Sequence, residues 1–334
     1  MSVKLVIGIV STSVAKNKLV LNYLPINDEM FVFRFLLGDN RNPMTKYEIS
    51  VNISSDSYPN NIHCSCTQKT KWWFKYALNK WPQSLFYAKT EDDTFIHYEK
   101  LMYDLSFINP NSDTMYGLIN YVSNSTFKGS VESPRLLNGL INPFPTGPLA
   151  LFTKPLALTL YQDCMYPTDI PRAKFGKKCV LKNHEVTKYT CDGIIGNMIE
   201  KCVFRKITIA HMTWTKNHHN AKTGGGLGWV RPGSETVVLH YMKGINKESW
   251  EIAKKETSGM NKTFFPPFLF MFDPSHKEFK YRFYPQNKTL WKSYIKTCKY
   301  PTGKPLMEGG NPKTWYEFGC HAIRGFNMSK LYYL

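Results

Sequence analysis

The chain has 334 residues, 43% hydrophobic and 15% aromatic, so it can bury a sizeable core and is not a disordered tail. Lysine and arginine outnumber aspartate and glutamate by 43 to 25, a formal net charge of +18. That balance favours polyanionic partners (nucleic acid, phosphorylated cofactors, acidic glycans, a membrane surface) without choosing among them, and part of it serves only solubility.

In chain order, KLVIGIV (4–10) reads as a buried strand and NKLVLNYL (17–24) as a short helix. MFVFRFLLG (30–38) is a second strand, stopped by Gly38. KTKWWFKYALNKW (69–81) spaces its apolar residues at helical intervals, SLFYAK (84–89) is a third strand, and YEKLMYDLSF (98–107) a helix. Strand and helix therefore alternate, which predicts an α/β fold with a largely parallel sheet. A Gly- and Pro-richer stretch, INPFPTGPLALFTKPLALTLYQ, follows. In YTCDGIIGNMIEKC (189–202), Ile194, Ile195, Met198, Ile199 and Cys202 share one helical face. RKITIAHMTW, a glycine-rich loop TGGGLGW (223–229), a strand ETVVLHYMKG (235–244) and a helix KESWEIAKKE (247–256) come next. The glycine loop lacks both the dinucleotide and the Walker spacing, which leaves a substrate lid or an ordinary connection.

No run suits a membrane-spanning helix: LVIGIV is short, and PLALFTKPLALTL is broken by Lys154 and Pro155. The amino terminus has strand character and no small-residue cleavage site, so a cytoplasmic start is expected. The 8 cysteines are sparse, and Cys64-Ser-Cys66 is too tight for a zinc pair. Sequons at Asn52, Asn124, Asn261, Asn287 and Asn327 matter only in a secretory lumen.

The consecutive acids Glu91, Asp92 and Asp93 directly follow the third strand. Like charges this close raise one another's pKa unless solvent or a cation compensates. In open α/β sheets ligands bind beyond the carboxyl ends of the strands. Carboxylates there are suitable ligands for Mg²⁺ or Mn²⁺, and Ser11, after the first strand, lies at another such end.

The segment KYEISVNISSDSYPNN…TQKTKWW…SLFYAKTEDDTFIHYEKL resembles the inverting β-1,3-galactosyltransferase family, which includes β-1,3-N-acetylglucosaminyltransferases. Asp56-Ser57-Tyr58, Asn60, Lys69-Thr70 and Lys89-Thr90-Glu91-Asp92-Asp93 follow the family's motifs in order. FPTGPLALFTKPLALTL, with Gly147, is similar to a later segment, and CDGIIG (191–196) to its E-D-V-x-x-G. The sequence departs from the family at Cys191 (usually Glu), Gly193 (usually Val) and Glu91 (usually Asp), and it lacks an N-terminal arginine motif.

The resemblance implies a GT-A fold over residues 1–257, a C-terminal extension over 258–334 packing on it, a UDP-sugar donor, Mn²⁺ (or Mg²⁺) and a glycan or glycoprotein acceptor. It makes Asp93 a metal ligand and sets Glu91 and Asp92 toward the donor. Asp192 matches the family's general base, although at a helix start it could equally be an N-cap. The strand VVLHYMKG resembles one that carries a metal-ligating histidine, which selects His240 with Lys243 nearby. His211 is the alternative. Ser11, Lys18, Asp56 and Lys69 are further candidates for donor contacts. Family members are usually Golgi-anchored, so a Golgi lumen is the alternative to the cytoplasm.

Two other readings stay open. A transferase-like protein without catalysis, serving as a glycan-binding or structural protein, is suggested by Cys191 and would bind metal and UDP without turnover. A nucleic-acid-binding protein is suggested by charge, yet the lysines are dispersed, no binding module is recognisable, and no nucleic-acid partner is expected.

Overall fold

The structure is a computed structural model that describes residues 4–11, 14–26, 28–38, 42–51, 62–123, 141–164, 192–212, 218–220, 235–240, 242, 247–258, 264, 266–274 and 278–282. The first half alternates as expected. Strand β1 (Leu5–Val10) leads to helix α1 (Val14–Leu21), β2 (Phe31–Leu37) and a short β3 (Glu48–Ser50). Helix α2 (Ile62–Lys80), β4 (Phe86–Glu91), β5 (Phe95–Ile96) and α3 (Tyr98–Leu105) follow. Then come β6 (Thr114–Ser123), β7 (Ile141–Thr153), α4 (Lys154–Leu158), a π-helical turn (Thr159–Asp163) and α5 (Gly193–Cys202). The rest is β8 (Ile207–His211), β9 (His218–Asn220), β10 (Val238–His240), α6 (Lys247–Thr257), β11 (Phe268–Asp273) and β12 (Glu278–Arg282).

A nine-stranded sheet runs β12-β11-β8-β6-β7-β4-β1-β2-β3. β1 pairs in parallel with β2 and β4, β2 with β3, and β6 with β8. β7 is antiparallel to both β4 and β6, and β11 to both β8 and β12. Only β7 and β11 therefore oppose the common direction. This is the largely parallel α/β sheet that the alternating elements predict. β11 and β12 lie beyond residue 258 and extend the same sheet. A second sheet, β5-β10-β9, stands apart from it.

Alternation along each strand sends side chains to two cores. Val6 and Tyr87 face one with Trp73, Phe74 and Ala77 of α2 and Ile195 and Ile199 of α5. Leu5, Ile7, Phe86 and Ala88 face the other with Leu101 of α3 and Trp250 of α6. Trp73 is wholly buried and donates from Nε1 to the Ala88 carbonyl at 2.8 Å. Its ring lies where a Cβ on Gly8 would be, 2.5 Å from Cδ2, so only glycine fits that position of β1. Truncating such a ring costs about 3–5 kcal/mol.

β7 departs from what its composition suggests. It is a 13-residue interior strand containing Pro143, Pro145 and Pro148, although proline cannot donate to a ladder. The β6–β7 register shifts between Gly117 and Ile119, which accommodates the misfit. Beside β4, the Thr90 hydroxyl donates to the Pro148 carbonyl at 2.6 Å, which satisfies that acceptor.

On the α3 side, the fully buried Lys100 is ion-paired to Asp104, and Glu235 lies 3.7 Å from its Nζ. Tyr116 donates to Asp104 Oδ2 at 2.6 Å. On the α5 side, Cys164 and Cys202 form a disulfide, with Cα atoms 5.4 Å apart, that joins the end of the π-helical turn to the last residue of α5. Disulfides persist in oxidising compartments, and the cytoplasmic expectation stands beside that fact. Among the described residues, no helix is long and apolar enough to cross a membrane.

Candidate functional site

β4 sets the site through its pleat. Tyr87, Lys89 and Glu91 point to the face covered by α5, where Tyr87 already packs in the core. At the carboxyl end of the strand the chain turns, with the Thr94 amide donating to the Glu91 carbonyl at 3.2 Å. Asp92 then faces β1, where Ser11 donates its hydroxyl to Asp92 Oδ2 at 3.2 Å and the buried Lys69 donates to the Ser11 carbonyl at 3.0 Å.

The small sheet delivers the histidine. β5 pairs antiparallel with β10 in the register Phe95↔Leu239 and Ile96↔Val238, and the Met242 amide donates to the Asp93 carbonyl at 2.8 Å. His240, the last residue of β10, is thereby held against the acidic turn. Its Nε2 lies 3.2 Å from Glu91 Oε2 and 3.6 Å from Asp93 Oδ1. One ligand atom from each of Glu91, Asp93 and His240 falls within 4.8 Å of the others. Two carboxylates and an imidazole are a donor set that fits Mn²⁺, so these residues could hold a divalent ion.

Asp192 completes the cluster from the start of α5. It occupies the N-cap position but makes no side-chain capping bond. Its carboxylate instead faces β4, where Lys89 Nζ donates to Asp192 Oδ1 at 3.2 Å, to Glu91 Oε1 at 3.2 Å and to the Gly147 carbonyl at 3.0 Å. Gly147 permits this convergence. A Cβ there would lie 2.6 Å from Glu91 Oε1 and 3.0 Å from Asp192 Oδ2. Burial raises the Asp192 pKa, and the Glu91 charge adds to the rise while Lys89 opposes it. Burial works the same way on Glu91, but the Lys89 ammonium and the His240 contact outweigh it and hold Glu91 well below the usual carboxylate range. For Lys89, burial is outweighed by Asp192 and Glu91, so its pKa is raised and it stays charged.

A family profile described as galactosyltransferase matches residues 31–163. The likeness to that family therefore covers about two fifths of the chain. The matched segment contains Lys69, Lys89 and the acidic triplet and stops short of Asp192 and His240. The activity class of the matched family is glycosyl transfer. Among solved structures, the chain is similar to a glycosyltransferase involved in the glycosylation of the major capsid of PBCV-1. The identity is 12%, the TM-score 0.33, and the likeness covers 75% of this chain and 99% of that one, too slight a similarity to transfer any property. No curated protein matches the chain significantly.

The structure thus brings together Glu91, Asp93, Asp192 and His240. Glu91, expected on the donor side, stands with the metal-capable pair. Ser11, Asp92 and Lys69 form their own buried chain at the neighbouring strand end, and Lys18 is exposed on α1. Asp56, Lys243, Cys191 and the glycine-rich loop lie outside the described residues. His211, the alternative ligand, accepts the Ile119 amide on Nδ1 at 3.2 Å within the main sheet. Lys89 and Gly147 carry no role of their own in the sequence motifs. The signal for Lys89 was a lysine inside an otherwise apolar, buried strand, two residues before an acid.

Proposed function

We propose that this chain is a metal-dependent, inverting glycosyltransferase on a GT-A-type scaffold, moving a hexose, with galactose first among candidates, from a UDP-sugar to a glycan hydroxyl. The observation that carries this reading is the meeting of Glu91, Asp93 and His240 within 4.8 Å at the carboxyl end of β4, with Asp192 beside them. Those three residues would hold Mn²⁺, or Mg²⁺. Bound there, a divalent ion supplies positive charge to a departing diphosphate.

Asp192 takes the proton from the acceptor hydroxyl as that oxygen attacks the anomeric carbon. Its raised pKa makes it a stronger base than an exposed aspartate. Its side chain is 14% exposed, which leaves an acceptor a route to it. Asp192 spends no oxygen on helix capping, and Lys89 holds it on the β4 side. The Ser11–Asp92 pair and Lys69 shape the adjoining strand end, where the nucleotide half of the donor would lie; Lys18, Asp56 and Lys243 are proposed to assist there.

The test is a panel of UDP- and GDP-sugars with and without Mn²⁺, read out by nucleotide release. Release from a UDP-sugar that requires Mn²⁺ and disappears in Asp93→Ala is the expected result. Mn²⁺ and UDP binding without any turnover would replace the enzyme with a glycan-binding or structural protein. Failure to bind any UDP-sugar would overturn the reading altogether.

A further inference from the structure

We propose that Lys89 is a positioning residue that weakens the affinity of the Glu91–Asp93–His240 site for a bare divalent ion and ties Asp192 to that site. The inference rests on the metal-dependent reading above. Lys89 is 0% exposed, so it does not meet substrate. Among the described residues its ammonium donates to Glu91 Oε1, Gly147 O and Asp192 Oδ1.

Glu91 divides its two oxygens between this ammonium and the histidine. Oε1 accepts from Lys89, and Oε2 lies against His240 Nε2. A fixed positive charge therefore stands one carboxylate away from the place a cation would take. In a buried setting, charges a few ångströms apart interact strongly. Lys89 thus opposes a naked divalent ion. An ion that arrives with a diphosphate brings negative charge of its own, which offsets that opposition. The site is set to fill in company with the nucleotide. The same ammonium grips Asp192, so the base is held in register with the cation site. Gly147 is the steric condition for the arrangement, since a Cβ there would displace Glu91 Oε1 while leaving every charge in place.

The experiment titrates the full chain with Mn²⁺ in the absence of nucleotide, following the free-ion resonance signal, for the native protein, Lys89→Met and Gly147→Ala. Lys89→Met should bind Mn²⁺ at least ~10-fold more tightly, because the opposing charge is gone, while kcat for UDP-sugar hydrolysis falls and KM holds. Gly147→Ala should bind Mn²⁺ more weakly, because Glu91 is pushed aside. A residue that only supports the fold would lower affinity and turnover together. Unchanged or weaker Mn²⁺ binding by a cooperatively melting Lys89→Met overturns the proposal. Should that variant not fold, unchanged affinity in Gly147→Ala overturns it instead. A native protein that takes up no Mn²⁺, even with UDP, overturns the metal-dependent reading and this inference with it. Native binding with the variant results reversed overturns this inference alone.

Discussion

Lys89 and Lys100 are both closed off from solvent, at 1% and 0% side-chain exposure, and both meet carboxylates. They differ in what surrounds those carboxylates. Asp104, the partner of Lys100, is 2% exposed and also receives the Tyr116 hydroxyl, so the pair is sealed between α3 and the sheet. Glu91 and Asp192, the partners of Lys89, are 23% and 14% exposed, and two further ligand-type side chains stand beside Glu91. Burial of the cation is the same in both places. Exposure of the anions alone does not separate the two, since Glu235, the second carboxylate near Lys100, is 17% exposed; what marks the site among the described residues is that Glu91 meets a second carboxylate and an imidazole within 4.8 Å. The Lys100–Asp104 pair, closed by Tyr116, fixes how elements pack, whereas a carboxylate that stands with other ligand-type groups can exchange a partner for a ligand.

Four measurements would sharpen or break this contrast. Asp192→Asn should lower kcat for transfer by roughly 10²–10⁴-fold, the usual weight of a general base, with little change in a urea melt. If that variant is destabilised as severely as one at Lys100, the distinction between the two clusters fails. Lys100→Met strands the buried Asp104 and should cost about 3–5 kcal/mol in urea unfolding, with turnover per folded molecule intact.

The third measurement compares two histidines. His240 stands among carboxylates, whereas His211 is buried in the sheet and accepts an amide on Nδ1. Burial lowers the His211 pKa to about 3 from its ordinary 6.5. Between those limits the unfolded chain binds a proton that the folded chain refuses. His211 therefore costs no stability above pH 6.5 and progressively more as pH falls toward 3, by up to about 1.4 kcal/mol per unit. His211→Gln should flatten the acid limb of a pH–stability curve relative to the native protein, and identical slopes would remove buried histidine from the account. The smallest effect belongs to Arg205→Ala. Arg205 is itself 59% exposed, so its ion pair with Asp113 should be worth about 0–1 kcal/mol by thermal melt.

Much of this was legible in the residues because local pattern and global role agreed. β1, β2 and β4 are apolar runs with turn chemistry at their ends, α2 and α3 carry helical spacing, and their order alone implies an α/β sheet. The acidic triplet was visible for the same reason, at the end of a strand. β7 was not, since its prolines contradict a central strand and the β6–β7 ladder meets them with a register shift. The partners of the triplet were harder still. His240 reaches Glu91 across 149 residues and Asp192 reaches Lys89 across 103, through pairings that no short-range pattern encodes. A family resemblance singled out both residues, and their mutual geometry came only with the folded chain. Asp192 also shows what chain position leaves open: it sits where a cap would, and its carboxylate is turned to Lys89.

The covalent link between Cys164 and Cys202 has a reach beyond the two sulfurs. It anchors the tail of α5, the helix whose N-cap position is Asp192, so that helix is stapled at one extremity and electrostatically moored at the other. The setting of the Asp192 carboxylate is thereby tied to a bond that forms only where thiols are oxidised.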